Sequence, residues 1–498
     1  LADEGSAWDA PLTGGADGDA VLPAADQVDL RQLPVPALAS ASRLQEPFPI
    51  GSNNFAVSGA ATRDGRAILA NDMHLGLRAP NIWFRARLRY PDARAEGGRV
   101  DIAGFTLPGM PAVVVGSNTQ VAWGFTNSYI DSADWGRYAR CGVDRYRIGA
   151  ACTQPAHHRE TIAVADGAPV AFDVEDTPWG PVMAHDDAGD ALALRWSAHL
   201  PGSLRLAFMD MAYARDLDDA LARADRMAIP AQNLLLADSR DIAWRILGPI
   251  PARRAGCATD VADANACSFD LRIDASPVVK RPISGRLWSA NNRVVGGDAA
   301  RAQLGGGGYI FGARAKQIRD DLFARPNFDE RALLDIQLDD RALLLTRWWT
   351  LLQQAAKAPK TPALHALATA AQHWEGRAST DSVSYRIVRA WRRAVHERLA
   401  DGLTAPAQAQ MGKAFELPSL PQFEGVAWPL VTQRPMHLLP RRFASWDALF
   451  EDAARDAQAT LEKDGPLATV TWGTQNTARI CHPLVRALPF AKPVLCMP

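Results

Sequence analysis

The sequence predicts an α+β fold, a large strand-rich body with helical insertions. From Asn53 onward, short apolar runs alternate with Gly, Asn and Asp, as strands joined by tight turns do. Over about 330–430 the apolar spacing becomes helical. Length agrees: 498 residues can bury a large core and exceed one small domain.

Taken in order, residues 1–48 are rich in Ala, Asp, Gly and Pro and read as a tail or spacer with little regular structure. Residues 55–59, 67–70, 112–116 and 121–125 follow as strands, and strands continue through 161–174 and 192–196. Segments 204–228 and 314–329 have helical spacing. Residues 234–237 and 242–245, separated by Asp238-Ser239-Arg240-Asp241, predict a hairpin closed by a polar turn. Helices are predicted over 332–354, 363–373 and 382–399, with Trp348, Trp349 and Trp391 on buried faces. Past Pro418 the pattern predicts irregular structure, then a strand over 468–472. No convincing internal repeat is found.

Composition excludes several classes. Hydrophobic residues at 48% and charged residues at 22% fit an ordinary globular protein. A formal net charge of -1 provides no field favouring nucleic acid or an anionic membrane. No stretch reaches the roughly 18 uninterrupted apolar residues of a membrane helix. The six cysteines fall in near pairs, Cys141/Cys152, Cys257/Cys267 and Cys481/Cys496. Three local disulfides would fit an exported protein; six reduced, partly buried thiols are the alternative. No CxxC spacing occurs, which argues against a structural zinc site. Leu1 and Cys496-Met497-Pro498 read as internal positions, so the chain is expected to be a piece of a precursor, and missing targeting signals say little.

The chemistry concentrates at Gly51-Ser52. A serine hydroxyl held against the preceding carbonyl can attack it and form an ester that water opens; glycine has no Cβ to obstruct this. Cleavage would leave Ser52 as an amino terminus whose α-amine, with a reference pKa of about 7.7–8.0, can serve as its base. Serine needs such help to act as a nucleophile. No G-x-S-x-G elbow surrounds Ser52, which disfavours a Ser-His-Asp hydrolase.

Gly51-Ser52-Asn53-Asn54-Phe55 and Asn71-Asp72-Met73-His74-Leu75 are followed by Gly116-Ser117-Asn118-Thr119-Gln120-Val121-Ala122-Trp123-Gly124-Phe125-Thr126-Asn127. Further on come Pro230-Ala231-Gln232-Asn233, Leu287-Trp288-Ser289-Ala290-Asn291-Asn292-Arg293, Trp472-Gly473-Thr474-Gln475-Asn476 and His482-Pro483-Leu484. This ordered set resembles the penicillin acylase (penicillin amidase) family of N-terminal nucleophile hydrolases, which includes acyl-homoserine lactone acylases. The resemblance implies a four-layer αββα sandwich. It also implies a precursor cut into a small α chain and a β chain beginning at the nucleophile. Residues 1–51 would then be the end of the α chain or a spacer, and residues 52–498 the β chain, carrying a helical insertion over about 330–430.

Site roles follow from the same resemblance. Ser52 matches the nucleophile, and His74 a histidine that positions its hydroxyl and α-amine. The backbone N–H of Asn127 and the side-chain amide of Asn291 match the oxyanion donors, with Asn292 as the alternative if the register slips by one. Arg314 matches an arginine that orients this asparagine and the terminal amine. Phe55 departs from the tryptophan common at its position. Asp131 and Asp134, with the Ala133 carbonyl between them, match ligands of a structural calcium, and Asp298 is a poorly aligned further candidate. No organic cofactor is implied.

Leu75 stands where penicillin G acylases commonly have phenylalanine, so an aliphatic acyl group is favoured, with Phe125 as a second pocket residue. The expected activity is hydrolysis of a linear N-acyl amide in the periplasm or outside the cell. A β-lactam acylase, or an uncleaved, inactive envelope protein, are the alternatives.

Overall fold

In the computed structural model, which describes residues 8–16, 20–35, 51–257, 261–306, 308–478 and 480–497, strand β1 (Gly51–Val57) lies between two antiparallel neighbours. These are β2 (Ile68–His74) and, from far along the chain, β14 (Arg286–Ser289). Alternation along β1 divides its side chains between two cores. Phe55 and Val57 pack outward on helices α3 (Ala313–Phe323) and α4 (Glu330–Gln337), through Ala315, Ile318, Leu322, Leu333 and Ile336. Ala56 points the other way, against Leu235, Ile242 and Trp244 of a second sheet.

That second sheet has seven strands. Their spatial order is β13 (Val278–Lys280), β10 (Ile242–Leu247), β9 (Gln232–Ala237), β6 (Ala122–Asn127), β5 (Val115–Ser117), β4 (Arg99–Thr106) and β3 (Phe84–Pro91). Its outer face buries Trp123, Leu234, Leu236 and Ala243 against Phe208, Met211 and helix α1 (Leu217–Ala224). Helices, small sheet, large sheet, helices: the four layers are the expected αββα sandwich.

The 232–247 hairpin forms as its turn chemistry predicts, with Asp238 Oδ1 accepting from the N–H groups of Arg240 and Asp241 at 2.8 and 2.7 Å. The strand expected over 161–174 is a hairpin, Ala156–Ile162 with Val170–Asp176. Of 112–116, only the end enters β5. A further sheet pairs β7 (Ala133–Tyr138) with β8 (Ala191–Trp196), and β11 (Ile250–Arg253) pairs with β12 (Phe269–Arg272). Helix α2 (Asp298–Leu304) packs beside β11.

Four expectations of local structure are corrected, two helical, one irregular and one a strand. The segment 204–228 is a 3-10 turn, Leu206–Tyr213, followed by α1. The helix expected over 332–354 is two, α4 and α5 (Leu343–Ala355), because Asp339 turns its carboxylate onto the Arg341 N–H and side chain and competes with the helical ladder. Past Pro418 the chain is not irregular: α8 (Glu424–Gln433) and α9 (Trp446–Leu461) form, the latter capped by Ser445 accepting from Ala448 N–H at 3.1 Å. The strand expected over 468–472 is a 3-10 turn and a short helix.

With α6 (Pro362–Ala370) and α7 (Ser384–Leu403), helices α5, α8 and α9 share one core around Trp348 and Trp391, both fully buried, while Trp349 stays half-buried. Each fully buried tryptophan removes on the order of 200 Å² from water, worth about 5 kcal/mol. Inside this core the Glu424 carboxylate accepts from Trp348 Nε1 and Arg392 Nε, both at 2.7 Å, and lies 3.2 Å from His396 Nε2.

Residues 8–35, expected as a loose tail, have little regular structure where described, yet they are built into the protein. Ala10 is fully buried beside β1 and Leu30 is buried in the helical core, its N–H on the His437 carbonyl at 2.7 Å. Positions 1–7, 17–19 and 36–48 of the expected tail lie outside the described residues, as do 49 and 50. The three near pairs of cysteines are disulfides, Cys141–Cys152, Cys257–Cys267 and Cys481–Cys496. Among the described residues no helix is long and apolar enough to cross a membrane.

Candidate active site

The register of β1 on β2 sorts the site into two faces. Gly51 lies opposite His74 and Asn53 opposite Asp72, whereas Ser52 lies opposite Met73 and Asn54 opposite Asn71. Alternation therefore turns the Ser52 side chain towards the large sheet, and the residue is 7% exposed. Asn71 ties the two sheets here. Its Nδ2 donates to the carbonyls of Asn53 and Phe125 at 2.7 and 2.9 Å, and its Oδ1 accepts from Phe125 N–H at 3.2 Å.

Asn291, two residues past β14, reaches Ser52 with a φ of 64°, a left-handed conformation that asparagine tolerates better than most side chains. Its Oδ1 accepts from Ser52 N–H at 2.7 Å and from Arg314 Nη2 at 3.0 Å. Two donors on one oxygen fix the amide, so its Nδ2 faces Ser52 Oγ at 3.4 Å and the Asn127 carbonyl at 3.1 Å. The Asn292 amide turns elsewhere, its Nδ2 donating to the Ala10 carbonyl at 3.1 Å and the Arg293 carbonyl at 2.8 Å.

Arg314 comes from the first turn of α3 and also donates through Nη1 to the Ser52 carbonyl at 3.0 Å and to Asn53 Oδ1 at 2.6 Å. Burial lowers it to about 10, opposed by the Asp72 carboxylate, so it remains a cation at neutral pH. His74 occupies the other face. Its Nε2 is 3.1 Å from Asp72 Oδ2, which also accepts from Asn53 Nδ2 at 3.2 Å. Among the described residues no hydrogen bond joins His74 to Ser52. A Cβ on Gly51 would lie 3.0 Å from Arg314 Nη2 and 3.3 Å from both Asn291 Oδ1 and His74 Nδ1, so the imidazole sits at the glycine side of the Gly51–Ser52 bond.

Asn127 meets the site through its carbonyl, at the exposed end of β6. Behind it Thr126 Oγ1 bonds Ser289 Oγ at 2.5 Å and accepts from Asn233 Nδ2 at 3.1 Å, a polar thread between the sheets. Phe125 is buried against Phe208, ring centroids 5.7 Å apart, while Leu75 is 44% exposed past the end of β2.

The expected calcium ligands have another partner. Arg253 Nε lies 3.0 Å from both Asp134 oxygens, and Nη2 lies 2.8 Å from Asp134 Oδ1. Nη2 also meets the Asp131 carbonyl and Asp131 Oδ2, each at 3.1 Å. With a guanidinium on these oxygens, Asp131 and Asp134 as placed do not fit a calcium ion, and Asp298 opens α2 exposed to solvent.

Sequence reasoning missed Asn53, Asp72 and Arg253. Asp72 and His74 are two apart on a strand, which alone puts them on one face; the Arg253-Arg254 pair reads in the sequence as solvated surface, whereas the fold leaves the Arg253 side chain only 6% exposed.

The penicillin amidase family model matches residues 9–495. The chain belongs to that family. Among similar proteins, an acyl-homoserine lactone acylase of Pseudomonas aeruginosa, QuiP, is 26% identical over 316 residues, 59% of this chain and 36% of that protein. The penicillin acylase 2 proenzyme of Pseudomonas sp. (strain SE83) is 27% identical over 473 residues, 88% of this chain and 56% of its own length. The chain thus spans about a third of the length of the curated relatives first matched. A thermostable penicillin G acylase from Alcaligenes faecalis superposes with a TM-score of 0.64 at 20% identity, covering 84% of this chain and 80% of that one. That likeness shows the shared sandwich.

Proposed function

We infer that the chain hydrolyses a linear N-acyl amide through an acyl-enzyme on Ser52, formed after the Gly51–Ser52 bond is cut by the serine itself. The observation that carries this reading is the Asn291 amide, locked by Arg314 with its Nδ2 aimed at Ser52 Oγ. In maturation the Oγ attacks the Gly51 carbonyl and the C–N bond breaks. The Gly51 acyl group then sits on oxygen and the amine is free; water hydrolyses the ester. In turnover the new α-amine, through a water molecule, takes the Oγ proton as Oγ attacks the substrate carbonyl. On this reading Asn291 Nδ2, released from the Asn127 carbonyl it holds at 3.1 Å, joins the Asn127 N–H in holding the oxyanion, and the protonated amine gives its proton to the departing amine. A second water repeats the sequence and releases the acid. On this reading Asp72 and His74 order the glycine side of the bond, and the partner is an α chain from the same precursor.

The favoured acyl group is aliphatic, as in acyl-homoserine lactones, supported by the exposed aliphatic Leu75 and by the lactone acylases among the relatives. A β-lactam acylase is the second reading, favoured by the long match to penicillin acylase 2 proenzyme. Three disulfides support an oxidising compartment such as the periplasm.

The test is N-terminal sequencing of protein made from the full-length gene. A terminus beginning Ser-Asn-Asn-Phe is expected in the wild type and absent in Ser52→Ala; an intact bond in folded wild type would sink the mechanism. Comparing turnover of a long-chain acyl-homoserine lactone with phenylacetyl and glutaryl amides then separates the two substrate readings.

A further inference from the structure

We propose that Arg253 takes the place of a bound metal in this chain, its guanidinium bridging Asp131 and Asp134 so that the segment after Asn127 is held without calcium. A hard cation works by gathering carboxylate and carbonyl oxygens around one positive point. Here two carboxylates and the Asp131 carbonyl gather around one guanidinium, with Asp134 engaged through both oxygens. The pair is sealed, the Arg253 and Asp134 side chains being 6% and 8% exposed. A calcium ion could reach the Asp134 oxygens only by displacing the guanidinium, stranding its charge beside Phe269, whose ring lies 5.7 Å away, although the Asp131 side chain is 48% exposed.

The planar fork of arginine suits the role, because it meets a carboxylate with two parallel donors where an ammonium offers a point charge. One positive charge faces two negative ones. Burial pushes the Asp131 carboxyl up, Arg253 opposes that, and Asp134 adds to it. The cluster also locks a junction. Arg253 ends β11, Asp134 belongs to β7, and the Asp131 N–H holds the last carbonyl of α2, that of Leu304, at 2.8 Å. These elements frame the loop that leaves Asn127, where Ser128 Oγ donates to the Ala231 carbonyl at 2.6 Å.

The experiment uses the full-length protein, dialysed against EGTA and melted with and without excess calcium chloride, with bound calcium counted by elemental mass spectrometry. The wild type is expected to shift by less than about 2 °C and to hold no stoichiometric calcium, while Arg253→Met in chelator melts about 5 °C lower or more, since it leaves two carboxylates facing each other. A wild-type shift of about 2 °C or more, or one calcium per chain after dialysis, overturns the proposal. So does an Arg253→Met variant that melts with the wild type. Should Arg253→Met fail to fold, the two wild-type measurements decide alone.

Discussion

Asn291 shows how much one side chain is asked to do. Its backbone adopts a left-handed conformation and its amide must present Nδ2, not Oδ1, to Ser52. Arg314 enforces the second demand. Asn291→Ala is expected to lower kcat by about 10²–10³ with little change in KM, as loss of an oxyanion donor does, measured by steady-state hydrolysis of an acyl amide. Arg314→Lys, which keeps the charge but loses the fork, is expected to cost about tenfold or more in kcat. Ser52, Asn291 and Arg314 were legible in sequence because each sits in a motif whose order along the chain is informative. Arg253 was not: it lies 119 residues from Asp134 and in another sheet, so only the fold brings them together.

Among the elements, β1 and the segment before it matter most. At the end of the β1–β2 ladder a side chain on Gly51 would crowd Arg314, Asn291 and His74, the groups proposed to act at its own carbonyl. Gly51→Val is expected to fold and remain uncut, which intact mass would reveal; efficient cleavage of that variant would count against the crowding argument. The Trp8–Gly15 stretch is a strap beside the site, with the Ala10 carbonyl held by Trp288 Nε1 at 2.8 Å and by Asn292, and Asp9 paired with Arg293. Composition read it as a spacer because a strap bonded through its backbone needs no apolar periodicity. Helix α9 is a different failure. Its buried apolar positions 446, 449, 450, 453, 454, 457 and 461 follow helical spacing behind a serine cap, a pattern present in the sequence and passed over.

At the scale of the molecule, the four-layer fold was legible because strand signals and family motifs agreed, whereas the extent of the helical unit depended on tertiary packing. That unit carries a pH dependence. Burial and the neighbouring Arg392 and Arg347 lower His396 to about 4 from 6.5, against the pull of Glu424. The unfolded chain therefore binds a proton that the folded imidazole refuses, and stability present above pH 6.5 is lost as the pH falls. Glu424, which burial raises but Arg392, His396 and Arg347 hold well below its usual range, adds its own loss only in the acid range. Melting temperature is expected to drop from pH 6.5 towards about 5, with a flatter profile for His396→Gln. The long reach of β1 has a temporal meaning as well. Ser52 finds Asn291 239 residues later and Arg314 262 residues later. Any bond-breaking at Gly51–Ser52 that uses both must therefore wait until the chain through α3 has been synthesised and folded back. The protein would carry its own clock, and a chain stalled or misfolded before that point would stay uncut.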